Sequence, residues 1–260
     1  DELKQDALDQ GIESIVLDAG DFGEGAHYFL LDDGMHSFKA LDMLGVDAAV
    51  IGNHDYMFGG HFLGAQIRTA NSKTKFLGAN IAHTADMRLG DILHPTASFD
   101  VGGVKVDIVG LTTNSLHFMY AIRPGLILPA DGVSRAYTQM ARDNGADLVV
   151  ALTHIGVSKD KDLVKKDPNI DVVIGGHSHT RLEEATNVEN SEGRVVPIVQ
   201  TGAQGMAVGS LIIDVKGQKD IEVVSYQLHD ADESVQPDQE VLDYVLEVDK
   251  RTKEVLGEGR

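Results

Sequence analysis

Four short polar clusters contain side chains that could bind metal ions. Each combines Asp, Asn or His with glycine or threonine, and each directly follows a short apolar run. The clusters are Gly20-Asp21, Gly52-Asn53-His54-Asp55, Thr153-His154 and Gly175-Gly176-His177-Ser178-His179. Carboxylate, amide and imidazole ligands without sulfur suit manganese, iron, cobalt or zinc. A carboxylate that bridges two such ions holds them about 3.5–4 Å apart, the spacing used for in-line displacement at phosphorus.

Each cluster taken alone is a weak signal. A single histidine at a strand end is more often a satisfied structural residue than a ligand, and Asn-His-Asp is also common turn chemistry. Four clusters of one chemical type, all at strand ends, favour a shared site. Of the 11 histidines, four lie in these clusters, and the other seven are interpreted as surface or packing residues. His117 is the strongest exception, because it follows another strand end.

The elements that must position these clusters alternate along the chain. Strands are predicted over residues 12–17, 46–51, 76–79, 148–152, 172–174, 195–199 and 210–215, with a hairpin over 97–111. Helices are predicted over residues 35–44, 60–70, 133–144 and 240–256. This alternation predicts a layered α/β fold, and the later strands without helices predict some antiparallel pairing. Ligands of open α/β sheets bind beyond the carboxyl ends of the strands, where all four clusters fall.

The composition limits the possible partners. The chain has 260 residues and a formal charge of −19, from 22 basic and 41 acidic residues. A surface this acidic repels the backbone of a nucleic-acid polymer, and bound cations would have to attract any small anionic substrate. The absence of cysteine excludes thiolate metal sites and disulfides. No run of about 18 apolar residues occurs, so no transmembrane segment is predicted.

Taken in order, these motifs resemble those of the calcineurin-like metallophosphoesterases. The matching stretches are GD (20–21), GNHD (52–55), THIG (153–156) and GGHSH (175–179). The sequence between these motifs resembles that of the 5′-nucleotidase branch, which includes 2′,3′-cyclic phosphodiesterases, UDP-sugar hydrolases and thiosulfate-ester hydrolases. The resemblance covers roughly residues 10–230. It implies an α/β metallophosphoesterase fold, with mixed β-sheets sandwiched and flanked by helices.

The resemblance also implies a centre of two divalent metal ions. Asp21 would bridge the two ions, and Asn53, His154 and His177 would complete one of the two sites. His179 would bind the other ion. Manganese, zinc, iron and cobalt all remain open as the native metal.

The implied activity is hydrolysis of a phosphate ester, most readily a nucleotide, by a metal-activated hydroxide. His54 would face the substrate, where it would stabilise the phosphoryl oxygens or protonate the leaving group. Asn53 and His117 are further candidates for substrate binding. The segments 22–33 and 112–123 should frame the pocket, and their aromatic residues could either stack on a base or pack the loops.

The sequence departs from the family pattern at two places. The family begins with Asp-x-His, which supplies two ligands to the first metal, and no such motif precedes Asp21. Either one more strand–loop unit lies upstream of this chain, which is the interpretation we favour, or the protein lacks the first metal site. In the nucleotidase branch GNHEFD ends in an Asp that orients the histidine, whereas Met57 stands at that place here. Our hypothesis is that Glu24 orients His54 instead. Asp55 is the less favoured partner, because the side chain of an adjacent residue usually points elsewhere, and Glu24 could also be a solvated residue of a glycine loop.

The motifs divide the chain into two regions. Residues 1–230 are expected to form the catalytic domain, and residues 231–260 an acidic linker and helix leading to a carboxyl-terminal substrate domain. The branch resemblance implies a periplasmic or secreted protein. Two alternatives stay open: a thiosulfate-ester hydrolase that uses the same site, and a catalytically weakened relative that only binds ligand.

Overall fold

Two β-sheets face each other in the protein, and helices cover their outer faces. The computed structural model describes residues 2–23 and 29–257. Its strands are β1 (Leu17–Asp18), β2 (Ala48–Val50), β3 (Lys75–Leu77), β4 (Ile81–Ala82), β5 (Leu93–His94), β6 (Thr96–Val101), β7 (Val104–Thr112), β8 (Leu126–Ile127), β9 (Leu148–His154), β10 (Val172–Gly175), β11 (Thr186–Glu189), β12 (Val195–Val199), β13 (Ala207–Gly217) and β14 (Asp220–Asp230). Its α-helices are α1 (Glu2–Asp9), α2 (Phe29–Asp32), α3 (Met35–Met43), α4 (Gly60–Ala70), α5 (Ala130–Asp143), α6 (Val157–Lys166) and α7 (Gln239–Leu256).

The two main sheets differ in their strand directions. The first has the order β1-β2-β3-β5, and all of its strands are parallel. The second has the order β11-β12-β10-β9-β7-β6, with four parallel strands in the middle and an antiparallel strand at each edge. Strands β13 and β14 form a separate antiparallel hairpin. This arrangement confirms the predicted layered α/β fold with mixed sheets and some antiparallel pairing late in the chain.

The alternation of side chains along each strand builds the layers. Ala48 and Val50 of β2 point between the two sheets, where they meet Val150 and other residues of the second sheet. Ala49 and Ile51 point the other way and pack against α3 and α4. All five side chains are almost fully buried. The period of two in a strand places successive side chains on opposite faces, so both faces of β2 are core.

The helices bury one apolar stripe each. Phe38 and Leu41 of α3, together with Leu63 and Ile67 of α4, cover the first sheet. These pairs are three and four residues apart, which places them on one helical face. On the second sheet, Leu163 of α6 packs in the corresponding cluster. Burial of one such side chain contributes about 1.5–3 kcal/mol.

Helix α7 packs against α3 near the carboxyl terminus. The Asp238 carboxylate caps its first turn by accepting hydrogen bonds from the backbone N–H groups of Glu240 and Val241. Tyr244 Oη lies 2.6 Å from His36 Nδ1, and Val248 is buried. Within residues 2–23 and 29–257, no helix combines the length and apolarity needed to cross a membrane.

The first predicted strand is shorter than its apolar pattern suggests. Residues 12–17 were expected to be extended, but only Leu17–Asp18 form ladder pairs. Ahead of them, the backbone N–H of Val16 donates to the Asp47 carboxylate, and the Val16 carbonyl accepts from Asp47 and Ala48. The Asp47 side chain thus takes the place of one ladder partner, and within residues 2–23 and 29–257 strand β1 pairs with β2 alone.

Candidate metal centre

The four polar clusters converge where the two sheets meet. Asp21 follows β1 and Asn53 follows β2, and these strands are parallel neighbours in the first sheet. His154 ends β9 and His177 follows β10, which are parallel neighbours in the second sheet. Parallel neighbours end at the same edge of a sheet, so each sheet brings two candidate ligands to the line where the two sheets meet. We call this place, which contains Asp21, Asn53, His154 and His177, the seam.

The side-chain atoms at this seam are close enough to share a cation. His154 Nε2 lies 2.9 Å from Asp21 Oδ2 and 3.2 Å from Asn53 Oδ1. One ligand atom from each of Asp21, His154 and His177 can be chosen so that all three lie within 4.8 Å of one another. Two oxygen and two nitrogen donors fit a divalent cation of the manganese, iron, cobalt or zinc type.

The orientation of the His154 ring is fixed by a second contact. Its Nδ1 lies 2.6 Å from the carbonyl oxygen of Ala19. A carbonyl only accepts, so Nδ1 carries the hydrogen and Nε2 is the atom that faces Asp21 and Asn53. Metal-binding histidines commonly use this arrangement, in which a carbonyl holds the ring and sets the tautomer.

The electrostatics of the seam favour a charged carboxylate at Asp21. Burial opposes that charge, but the hydrogen bond and charge of His154 and the backbone N–H of His54 together lower the pKa of Asp21. Burial also opposes a charged His154, yet the Asp21 carboxylate, the Ala19 carbonyl and the Asp55 charge together outweigh burial and raise the pKa of His154. Burial and then the neighbouring His154 lower the pKa of His177, which favours the neutral ring that a metal requires.

Asp55 organises the loop around Asp21. Its carboxylate accepts hydrogen bonds from the backbone N–H groups of Gly52 at 2.7 Å, Gly23 at 2.8 Å and Asp21 at 3.0 Å. Burial, followed by the nearby Asp21 charge, raises the pKa of Asp55 to about 7. The sequence places Asp55 in a candidate ligand cluster but does not predict this structural role, because two of its partners are backbone groups from a loop that is distant along the chain.

The ligand loops hold unusual backbone conformations. Asp21, His177 and His179 all have left-handed backbones, with φ values of 65°, 73° and 53°. Such conformations cost about 1–3 kcal/mol for a residue with a side chain, and they concentrate at functional sites. Gly52 allows the close approach of Asp21, since a Cβ on Gly52 would overlap the Asp21 carboxylate.

The remaining candidates lie around this group. His54 is half-buried, and its backbone N–H donates to Asp21 Oδ1 at 2.8 Å. The Phe118 ring lies between two candidate residues, 6.3 Å from the His54 ring and 6.1 Å from the His177 ring, measured between centroids. His179 is exposed and does not belong to the close trio of Asp21, His154 and His177. A charge on His179 contributes to lowering the pKa of His177.

The other predicted loop residues divide between surface and core. His117 is exposed, beside Phe118. Phe22 packs against Phe38 and Phe76 in the core, so it is a packing residue. Glu24 lies outside the described residues, and its assignment as the partner of His54 stays a prediction.

A second buried carboxyl, Asp160, lies behind the ligand loops. It is fully buried on α6, and its Oδ1 accepts a 2.6 Å hydrogen bond from Thr153 Oγ1. Its Oδ2 has no hydrogen-bond partner among the residues that the structure describes. Burial raises the pKa of Asp160 from 3.8 to about 7, against the lowering effects of Thr153 and the His154 charge.

Replacing Asp160 with asparagine should change how stability depends on pH. The pKa of Asp160 is higher in the folded protein than in the unfolded one. The contribution of its protonated carboxyl to folding stability is therefore complete below about pH 4 and is lost as the pH rises to about 7. Asparagine does not titrate here. The stability of Asp160→Asn relative to the native chain should therefore rise by about 1.4 kcal/mol per pH unit in that window. Urea unfolding of the metal-free proteins at pH 5, 6 and 7 measures the difference.

Asp162 provides the control, since it is exposed on the same helix. The substitution Asp162→Asn removes a carboxyl from α6 without touching the buried site. A stability difference for Asp160→Asn that stays constant from pH 5 to 7 would contradict the raised pKa.

Comparison with known proteins identifies related chains. The calcineurin-like phosphoesterase model matches residues 2–181. The trifunctional nucleotide phosphoesterase protein YfkN of Bacillus subtilis is 26% identical over 235 residues, which cover 78% of this chain and 16% of that protein. A snake venom 5′-nucleotidase of Gloydius brevicauda is 31% identical over 224 residues, which cover 78% of this chain and 37% of that protein.

A solved structure shows the same fold. The 5′-nucleotidase precursor of Thermus thermophilus superposes with a TM-score of 0.84 and 25% sequence identity, covering 98% of this chain and 52% of that one. The chain spans less than half the length of either curated relative, the Bacillus phosphoesterase or the venom nucleotidase.

Proposed function

This chain belongs to the calcineurin-like phosphoesterase family, and from that premise we propose that it hydrolyses nucleotide-type phosphate esters with two divalent metal ions. Membership of the family supports a hydrolytic activity, and phosphoesterases of this family use divalent metals. One observation carries the proposal: Asp21, His154 and His177 bring their ligand atoms within 4.8 Å of one another at the seam of the two sheets. The nucleotide preference is supported by the 5′-nucleotidase relatives.

Each residue has a distinct part in the proposed site. Asn53, His154 and His177 would hold one ion together with the carboxylate of Asp21, which would also reach the second. His179 would bind that second ion from the exposed side of the loop. Divalent ions bound there would neutralise charge on the phosphoryl oxygens and lower the pKa of water.

The protein's own groups would position the ester and move protons. His54 would donate a hydrogen bond to a phosphoryl oxygen or a proton to the leaving group, since it borders the ligand group without belonging to the close trio. Phe118, which lies beside both the His54 and the His177 rings, would form an apolar wall that keeps water from the leaving group. Localisation outside the cytoplasm belongs to the same proposal and is supported by the relationship to a venom protein.

Removal of metal should abolish activity reversibly. We expect the EDTA-treated chain to lose hydrolysis of bis-p-nitrophenyl phosphate, p-nitrophenyl phosphate and AMP, and to regain it with Mn²⁺. The native chain should bind at least one Mn²⁺, because four donors are already assembled at the seam. Metal content by mass spectrometry and release of nitrophenol or phosphate check both expectations.

The control is the same protein passed through the buffer exchange without EDTA. Equal turnover in metal-free and manganese-loaded protein would contradict the proposal. Binding of metal and nucleotide without any turnover would favour the ligand-binding alternative, and hydrolysis of a thiosulfate ester alone would favour the sulfur-ester alternative.

A further inference from the structure

The Gln200 side chain lies behind the loop that carries His177 and His179. Gln200 directly follows β12 and is 2% exposed. Strand β12 runs parallel to β10 with Val199 opposite Ile174, so Gln200 comes level with the start of the histidine loop. The side chain therefore reaches this loop from the neighbouring strand of the same sheet.

The Gln200 amide bonds to alternate residues of the loop. Its Oε1 accepts from Ser178 Oγ at 3.0 Å and from the backbone N–H of Thr180 at 2.6 Å. Its Nε2 donates to the carbonyl oxygen of Gly176 at 3.0 Å. The bonded residues are 176, 178 and 180, which alternate with the two histidines.

The loop needs such external support because its backbone is strained. His177 and His179 both have left-handed φ values, and the residues between β10 and β11 carry little ladder pairing of their own. A non-glycine residue readily leaves the left-handed backbone conformation unless its surroundings hold it there. Among the residues that the structure describes, the one sheet-like contact of this turn is the isolated bridge between Arg181 and Thr201, beyond the histidines.

We propose that Gln200 is a positioning residue that holds the 176–180 loop in the conformation that turns His177 toward Asp21 and His154. The expected effect of Gln200 on metal binding rests on the proposed function above, whereas its effect on the conformation of the loop does not. None of its three side-chain hydrogen bonds goes to a candidate ligand atom. It acts by holding the Gly176 carbonyl, the Ser178 hydroxyl and the Thr180 N–H, groups of the residues that flank the two histidines.

Two measurements on Gln200→Leu test the proposal. Leucine has a similar volume but makes none of the three hydrogen bonds. In the metal-free protein, amide hydrogen exchange across residues 176–180 should speed up by roughly tenfold or more, with Thr180 N–H among the affected groups. Mn²⁺ affinity should fall about 10–100-fold, the range for loss of a group that orients a metal ligand.

Gln200→Glu separates the two halves of the amide. When it is ionised, the carboxylate keeps acceptors for Ser178 and Thr180 but has no donor for the Gly176 carbonyl, so the comparison is made at a pH where the introduced carboxyl is charged. Exchange at Thr180 should stay slow, and the loss of Mn²⁺ affinity should be smaller than for Gln200→Leu. This variant also keeps the test open if the leucine variant folds poorly.

Asn190→Leu is the matched control, at the opposite end of β12. Asn190 is 5% exposed, and its Oδ1 accepts from the backbone N–H groups of Glu192 at 2.9 Å and Arg194 at 3.0 Å. Its substitution removes a comparable buried amide far along the strand from the histidine loop. Exchange should rise at residues 191–194, with Mn²⁺ affinity unchanged.

Two results would overturn the role of Gln200. One is unchanged exchange over residues 176–180 in Gln200→Leu. The other is a loss of Mn²⁺ affinity no greater than in Asn190→Leu. Absence of ester hydrolysis by the native chain would refute the proposed function instead, and the exchange data would still decide whether Gln200 holds the loop.

Discussion

Asp21→Asn should abolish ester hydrolysis and strip metal from the protein. Its carboxylate contacts His154 Nε2 at 2.9 Å and lies in the close trio, so neutralising it removes the one negative charge among those ligands. The loss of turnover should exceed the roughly 100-fold cost of removing a group that only orients a ligand. Metal content and turnover with bis-p-nitrophenyl phosphate, measured on the same samples, provide the readout.

Asp47→Asn is the matched control for this variant. Asp47 accepts a 2.8 Å hydrogen bond from the backbone N–H of Val16 at the opposite end of β2. It directly precedes β2 and also accepts a hydrogen bond from a backbone group, but it lies at the end of β2 away from the seam. A fully metallated and active Asp21→Asn protein would refute the bridging role.

His54→Ala should retain metal and lose most of its rate. A positioned proton donor contributes about 10²–10⁴-fold to hydrolysis, so kcat should fall within that range. Metal content should match the native chain, because the proposed site assigns His54 to the substrate and to neither ion. The rate loss should also shrink with a substrate whose leaving group needs no proton, such as p-nitrophenyl phosphate compared with AMP.

His61→Ala provides a comparison for loss of an imidazole. His61 is exposed on α4 and lies 3.4 Å from Asp86, away from the ligand loops. Equal loss of metal and activity in His54→Ala would mean that His54 is a ligand, and an unchanged rate would remove it from the proposed chemistry.

Much of the fold follows from local patterns in the sequence. Helix α4 occupies residues 60–70 and strand β12 residues 195–199, as the apolar spacing predicts. The hairpin of β6 and β7 turns at Gly102 and Gly103, which the sequence marked by two adjacent glycines. Convergence of the ligand clusters within each sheet also follows, because neighbouring parallel strands end side by side, whereas the meeting of the two pairs depends on how the two sheets pack.

The parts that local patterns do not predict depend on contacts between distant segments. Helix α6 has a mostly charged sequence, and it forms because Leu163 and Val164 dock on the second sheet. Asp55 and Gln200 hold backbone groups of other loops, and no spacing in their own segments reveals this. Gln200 does follow an apolar strand, as the predicted ligands do, so the strand-end rule applied to glutamine as well as to asparagine includes it.

The seam also has a consequence for how long the protein survives. One pair of ligands comes from each sheet, so a bound cation ties together two layers that otherwise meet mainly through apolar side chains. Binding that favours the native state adds directly to its stability, in proportion to the logarithm of free metal. Scarcity of metal would therefore increase degradation of the chain by proteases as well as reduce its activity. The supply of the ion would then affect both the amount of protein present and its rate of hydrolysis.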